Sequence, residues 1–141
     1  MKKTQTKSLA FSAILTAFGI LIPMIMPVKV VIGPASFTLA SHVPIFMAMF
    51  ISLPVAIFVT IGTALGFLLA GFPIVIVTRA LSHILFILLG ASILKKRPQL
   101  LDKPLPTFLF ALVLNVLHGL AEFGVVLLLT TGSQYTSSYL L

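Results

Sequence analysis

Four ionisable side chains lie inside apolar stretches of this sequence, in two pairs that share one spacing. Arg79 is followed four residues later by His83, and His118 by Glu122, so each pair lies on one face of a helix. A guanidinium binds carboxylates and phosphates through its planar fork of donors, and an imidazole exchanges a proton near neutral pH. The two pairs could therefore bind an anionic solute, relay protons, or neutralise each other as a buried ion pair.

Composition places these residues in a membrane protein. The 141 residues are 60% hydrophobic and 8% charged, with a mean hydropathy of +1.24, whereas soluble domains carry about 25% charged residues. A charge within an apolar span is costly, so it usually faces the protein interior or a water-filled cavity and has a function there. We therefore expect an all-α integral membrane protein, a multi-span helical bundle that forms a single domain over residues 1–141.

Five spans follow from the apolar runs and from the prolines, glycines and lysines that bound them. The segment from 38 to 71 is divided in two at Ser52-Leu53-Pro54, because proline favours the first turn of a helix over its middle. This division leaves a short second span, preceded by an ordered, partly extended loop from Val28 to Ser41. The predicted spans are residues 8–26, 38–53, 54–71, 73–94 and 106–131.

The basic residues indicate an orientation. Two basic clusters flank the first span and follow the fourth, and Lys29 is the one basic residue in a predicted outer loop. Because basic loops favour the cytoplasmic side, we predict a multi-pass protein of the cell membrane with its N-terminus in the cytoplasm. The two clusters consist of Lys2, Lys3, Lys7, Lys95, Lys96, Arg97 and Lys103.

Several classes of function are excluded or disfavoured. The absence of cysteine excludes disulfides, cysteine-ligated zinc and thiol catalysis. No GxxxxGK[ST] phosphate-binding pattern occurs, so any ATP would be used by partner subunits, and we expect this chain to bind no cofactor. We also expect no enzymatic activity, because Ser82 and His83 are adjacent on a helix and do not face each other. Without a basic groove that carries interleaved aromatic residues, the net charge of +7 does not indicate nucleic acid.

Helical rise places the four ionisable residues at overlapping depths. Arg79 lies roughly 9 Å and His83 roughly 15 Å below the outer end of their span, and Glu122 and His118 lie roughly 14 and 20 Å below theirs. We expect them to surround one cavity that opens to the outside. Because donors outnumber the single carboxylate, a solute site is favoured over a structural ion pair, with a proton relay through His118 and Glu122 as the third alternative.

Three further residues are predicted to bind substrate. Asn115 lies one turn from His118, and Phe37 and His42 lie where an outer loop would cap the cavity. We expect no metal ion, because the histidine spacing matches no metal motif and Arg79 would oppose a cation. In the first span, Ala13 and Ala17 stand four apart, and small residues at this spacing let another helix approach closely, either within the protein or from a partner.

Together these residues resemble the substrate-binding (S) components of energy-coupling-factor (ECF) vitamin transporters. The resemblance covers most of the chain and rests on Ala13-xxx-Ala17, on ASFTLASHVP from Ala35 to Pro44, and on TALGFLLAGFPIVIVTRALSHILF from Thr63 to Phe86. It implies a small six-helix protein that captures a vitamin near the outer face, with a membrane coupling subunit and two ATPase subunits as partners. It also implies that Ala13 and Ala17 contact the coupling subunit.

Within that family, the segments SHVPIFMAMFIS and RALSH most resemble the niacin type. Nicotinate is a small aromatic carboxylate, so the resemblance implies that Arg79 binds the carboxylate and that a histidine or an aromatic residue meets the ring. Glu122 would accept from a protonated ring nitrogen or hold Arg79 in place. The sixth helix is missing, so we expect a fragment or a truncated protein. The alternatives are another vitamin or precursor, a stand-alone proton-coupled carrier, and a structural protein with Arg79 and Glu122 as a buried pair.

Overall fold

A computed structural model describes the backbone of residues 3–138 and the side chains of residues 6–132. Lys2 and the side chain of Lys3, which belong to the predicted N-terminal basic cluster, lie outside the described part. Five α-helices and one β-hairpin are present within it, and a short 3₁₀ turn connects the last two helices. In chain order the elements are α1 (Lys3–Ile25), β1 (Lys29–Ile32), β2 (Ala35–Thr38), α2 (Val43–Ile51), α3 (Leu53–Leu69), α4 (Ile74–Lys96), the turn (Pro98–Leu101) and α5 (Pro104–Ser138).

Local sequence signals explain the helix boundaries. Ser52 caps α3, because its Oγ accepts from the Val55 amide at 3.4 Å, and Pro54 lies in the first turn. Gly71 then takes a φ of 77°, a left-handed conformation that favours glycine, and Pro73 precedes the start of α4. The predicted division of residues 38–71 into two helices is confirmed.

The expected all-helical membrane protein is also confirmed. Three helices are long and apolar enough to cross a membrane, namely α1, α4 and α5 within the described residues. The 17 residues of α3 rise about 26 Å, a little less than a bilayer core. The nine residues of α2 rise only about 14 Å, so the second span predicted at 38–53 is helical only over Val43–Ile51 and too short to cross a bilayer core.

The β-hairpin is the reason that α2 is short. Its strands pair antiparallel from Lys29–Thr38 to Ile32–Ala35, and Gly33 supplies the positive φ of 55° that the tight turn requires. The chain then bends at Ala40, whose φ is 62°, before α2 starts at Val43. The hairpin lies within the ordered, partly extended loop predicted from Val28 to Ser41, and the bend takes up the first residues of the predicted second span.

The helices pack along three main seams, α1–α3, α3–α4 and α4–α5. Against α1, α3 places Gly62 beside Thr16 and Gly66 against the backbone of Ile20, so a side chain at either glycine would collide. Against α5, α4 places Gly90 beside Leu114, and Met49 of α2 reaches the same glycine. Since His42 lies beside His83 and Met49 lies beside Gly90, α2 runs along the C-terminal half of α4 only. The hairpin and the start of α2 thus meet α4 and α5 at the level of His83.

Candidate ligand site beneath the hairpin

Arg79, His83 and Glu122 form the centre of a polar cluster between α4 and α5. Arg79 Nη2 donates to Glu122 Oε2 at 2.6 Å, and His83 Nε2 lies 3.3 Å from Glu122 Oε1. The histidine is 3% exposed, and the side chains of Arg79 and Glu122 are 13% and 20% exposed. Because a carboxylate only accepts, His83 donates to it through Nε2. The two helices are therefore joined by an ion pair and by an imidazole N–H donor.

Three imidazole rings gather beside this pair, each from a different element. His42 precedes α2, His83 lies on α4 and His118 lies on α5. The ring centroids are 4.7 Å apart for His42–His83 and His83–His118, and 5.1 Å apart for His42–His118. On one side the rings rest on Phe86, whose centroid lies 5.6 Å from that of His83 and 5.3 Å from that of His118.

The hairpin covers the cluster. The carbonyl oxygen of Pro34, at the hairpin turn, accepts from Arg79 Nη1 at 2.7 Å. Ser36 of β2 and Ser41 of the following bend line a small cavity together with His42, Arg79, His83 and Glu122. The cavity holds about 20 Å³, room for one water molecule. This closed pocket differs from the outward-open cavity that the sequence predicted, because the hairpin occupies the entrance.

The structure brings together five of the seven residues predicted to bind substrate. Arg79, His83, His118 and Glu122 meet as the helical spacing and the depth argument predicted, and His42 joins them from the bend before α2. The distance from His118 Nε2 to Glu122 Oε1 is 3.9 Å, the longest of the three to this carboxylate.

Phe37 and Asn115 lie apart from the cluster. Phe37 is 66% exposed, because side chains alternate along a strand and its neighbours Ser36 and Thr38 point inward. Asn115 is exposed on α5, one position beyond Leu114, which is buried against α4. Although Asn115 precedes His118 by three residues, its side chain points to the exposed side of α5 and not toward α4.

Two site groups were missed by the sequence reasoning. The Pro34 carbonyl is a backbone group, so no residue type could identify it, although Gly33-Pro34 did indicate a turn. Ser36 could have been found from strand parity, since a strand that turns Phe37 outward turns Ser36 inward.

Unsatisfied polar atoms concentrate at this site. Within residues 6–132, five buried side-chain nitrogen or oxygen atoms have no hydrogen-bond partner, and four belong to the cluster while the fifth belongs to neighbouring β2. Buried polar atoms are nearly always paired, so a group of unpaired ones indicates a water, an ion or a ligand. The five atoms are Thr38 Oγ1, His42 Nε2, Arg79 Nε, His83 Nδ1 and His118 Nδ1.

A second concave surface lies on the other side of the bundle, between α1 and α3. Ala13 and Ala17 are both exposed, and both line this groove together with Ser12, Pro54 and Phe58. The alternative that these alanines serve packing within the described part of the chain is therefore not supported. The groove holds about 670 Å³.

The chain is similar to the niacin transporter NiaX of Lactococcus lactis subsp. cremoris (strain MG1363), with 46% identity over 125 residues. The aligned region covers 89% of this chain and 56% of NiaX, so the chain spans a little over half the length of this relative. No protein-family model matches the chain, and no solved structure matches it. The similarity to NiaX confirms the predicted resemblance to the niacin type.

Proposed function

We propose, from this homology to a niacin transporter, that the chain is the substrate-capture (S) component of an ECF-type, ATP-driven vitamin importer. The proposed substrate is niacin, taken from outside the cell. The observation that carries the proposal is the largely buried Arg79, which Glu122 holds beneath the hairpin and beside three imidazoles. A small aromatic carboxylate would match this site, because its carboxylate can bind Arg79 and its ring can contact the imidazoles.

The carboxylate of nicotinate would bind Arg79. A guanidinium offers two parallel N–H donors to a carboxylate, and such charge-assisted pairs are about twice as strong as neutral hydrogen bonds. Arg79 uses Nη2 for Glu122 and Nη1 for the Pro34 carbonyl, while its buried Nε has no partner. Displacing Pro34 would therefore free Nη1 as a donor to the carboxylate. Glu122 would keep Nη2 and hold the guanidinium in orientation.

The pyridine ring of nicotinate would lie among the histidines. Imidazole rings stack on an aromatic ring and also offer a donor or an acceptor to its nitrogen. The site contains three imidazoles within 5.1 Å of one another and Phe86 beside them, so several faces are available to a flat ligand. These contacts would supply shape selectivity, whereas Arg79 would supply selectivity for the anion.

The hairpin would act as the cover of the site. A cavity of about 20 Å³ has no room for a bicyclic or monocyclic vitamin, so the substrate enters only after the hairpin moves. The contact from Arg79 to Pro34 joins the hairpin directly to the group that recognises the carboxylate. Capture would then proceed by displacement of the hairpin, binding at Arg79, closure, and reorientation of the whole component against its partner.

Energy would come from partner subunits. The exposed Ala13 and Ala17 leave space for a helix to approach α1 closely, and the adjoining groove extends that surface to α3. We assign this face to the membrane coupling subunit, which two ATPase subunits would drive. The basic residues predict that the N-terminus and the connection from α4 to α5 face the cytoplasm.

A structural role for the polar cluster is the competing function. It is favoured by the fact that Arg79 already has two hydrogen-bond partners without any ligand. It does not explain the unpaired buried nitrogens of the three histidines. A stand-alone proton-coupled carrier is a further alternative, and it would take up its substrate without an ATPase partner.

The test is a calorimetric titration of the purified protein with nicotinate. We expect binding by the wild type and a loss of at least about 30-fold in affinity for Arg79→Ala, because truncating a buried charged contact costs about 2–5 kcal/mol. Ser92→Ala, at the other end of α4, is the control and should bind as the wild type does. Unchanged affinity in Arg79→Ala would remove Arg79 from the site.

Two companion measurements separate the alternatives. A thermal-shift screen against the B vitamins distinguishes niacin from another vitamin, because the true substrate gives the largest stabilisation. Ala13→Trp should abolish assembly with the coupling and ATPase subunits while nicotinate binding stays intact. Assembly that survives this bulky change would refute the docking face.

A further inference from the structure

We propose that the three histidines and Glu122 form a binding site for one divalent transition-metal ion. The spacing along the sequence gave no metal motif, but the fold brings the residues together from three elements. One ligand atom from each of His42, His83, His118 and Glu122 lies within 4.8 Å of the others. The inference concerns metal binding by these side chains and does not depend on which vitamin, if any, the protein captures.

The ligand types match a transition metal of the zinc, nickel or cobalt class. Imidazole nitrogens are good ligands for these ions, and a site of three histidines and one carboxylate therefore favours them. Magnesium and calcium prefer sites built of oxygen ligands alone. A tetrahedral ion with bonds of about 2.0–2.1 Å needs its ligand atoms about 3.4 Å apart. The present separations of up to 4.8 Å therefore require only a modest contraction of the four side chains.

The hydrogen bonding leaves each histidine able to act as a ligand. His42 Nδ1 lies 3.2 Å from Ser41 Oγ, and His83 Nε2 contacts Glu122, while one buried nitrogen of each of the three rings has no partner. A metal-bound histidine typically ligates through one nitrogen and donates through the other to a carboxylate, carbonyl or water. His42 fits this pattern, with Nδ1 beside Ser41 Oγ and Nε2 free for an ion. His83 and His118 turn Nε2 toward Glu122 Oε1, so they would share an ion with this carboxylate through Nε2, and their Nδ1 atoms would then donate to water.

Glu122 is the one carboxylate at the cluster within the described residues. Glu122 Oε2 lies 2.6 Å from Arg79 Nη2, which offsets the positive charge that would repel an ion, and Glu122 Oε1 faces two of the histidines at 3.3 and 3.9 Å. Because one carboxylate cannot offset both Arg79 and a divalent ion, metal binding would leave the site with net positive charge and must draw its free energy from the ligand bonds. The cavity of about 20 Å³ at His42, His83 and Glu122 has the size of such a small occupant.

The test uses tag-free protein that has been treated with a chelator and then titrated with Co²⁺. We expect about one Co²⁺ per chain and a visible ligand-field spectrum of a four-coordinate site. Elemental analysis after Zn²⁺ loading and gel filtration should give the same stoichiometry. No spectrum and no retained metal in folded protein would overturn the inference, and would assign the unpaired nitrogens to ordered water.

Variants identify the ligands. His118→Gln and His42→Gln should each lower Co²⁺ affinity by more than about 100-fold, since even outer partners of metal ligands contribute about 10–100-fold. Ser92→Ala on α4 should bind Co²⁺ as the wild type does. Binding that survives both histidine substitutions would place the metal elsewhere and refute the site. Because His83 is buried, the wild-type spectrum rather than a His83 variant tests its participation.

A nicotinate titration of the same chelator-treated protein keeps the two proposals separate. Nicotinate binding without any metal signal would overturn the metal site and leave vitamin capture standing. Stoichiometric metal binding without nicotinate binding would support the metal site and overturn vitamin capture.

Discussion

Two of the long helix seams of this protein, α1–α3 and α4–α5, are held together by different means. Along α1–α3, Gly62 and Gly66 allow the backbones to approach closely, and the seam contains no charge within the described residues. Along α4–α5, Arg79, His83 and Glu122 join the helices through polar contacts. In lipid, where apolar surface gives little driving force for association, close packing and interhelical hydrogen bonds hold helices together. The α1–α3 seam uses close packing, and the α4–α5 seam adds polar contacts to it.

Exposure reinforces this difference. Gly62, Thr63 and Gly66 of α3 are buried, whereas α5 is largely exposed and meets α4 along one stripe. The sparsely covered helix is the one that carries His118 and Glu122. Charged groups in membranes usually serve a solute pathway or a ligand, so the comparison supports a packing role for one seam and a binding role for the other.

The largest effect is expected from removing one member of the Arg79–Glu122 pair in the α4–α5 seam, which we call the polar seam. Glu122→Leu leaves Arg79 buried without its partner, which costs about 3–5 kcal/mol of stability when a buried pair is broken. The midpoint of unfolding in mixed detergent micelles should fall accordingly. Leu120→Ala on the exposed face of α5 is the control and should change little. Wild-type stability in Glu122→Leu would show that the pair does not hold α4 to α5.

A smaller loss of stability is expected from a larger side chain in the α1–α3 seam, which we call the apolar seam. In Gly66→Ala the new methyl group would meet the Ile20 backbone, so α1 and α3 must separate. Overpacking of this kind costs about 1–3 kcal/mol. Gly119→Ala, where a methyl group meets nothing within 4 Å, should leave the unfolding midpoint nearly unchanged. Equal stability of the two variants would contradict the close approach of α1 and α3.

The smallest effect concerns the hairpin that covers the polar seam. Gly33→Ala places a side chain at a φ of 55°, which costs about 1–2 kcal/mol although no atom obstructs it. If the hairpin closes over nicotinate, affinity should fall by about tenfold while bundle stability changes little. A titration of this variant alongside Gly119→Ala measures the difference. Unaltered affinity would separate the hairpin from ligand binding.

The sequence predicted the helices better than the segment between α1 and α3. Proline, glycine and lysine mark the ends of apolar runs, so α4 at Ile74–Lys96 differs from the predicted 73–94 by only one or two residues at each end. The short α2 was predicted too long, because residues 38–53 are apolar whether helical or extended. A two-stranded hairpin is fixed by pairing and by the turn at Gly33, which hydropathy does not detect.

The site was predictable where helical spacing applies. His83 follows Arg79 and Glu122 follows His118 by four residues, and equal depth on neighbouring helices brought the pairs together. A capping loop was predicted, but its contact with the site was not, since the hydrogen bond from Arg79 to the Pro34 carbonyl spans 45 residues and involves the backbone. The meeting of three histidines likewise depends on how far the bend after Ala40 carries His42 toward α4, which no local pattern specifies.

The most direct test of the account is nicotinate binding by the double variant Arg79→Met with Glu122→Leu. Replacing both members of a buried ion pair with apolar residues of similar volume is often neutral or stabilising, so this protein should fold as well as the wild type. We predict that it folds and that its nicotinate affinity falls by at least about 30-fold. A folded double variant that binds nicotinate as tightly as the wild type would contradict the claim that the polar seam exists to hold a ligand.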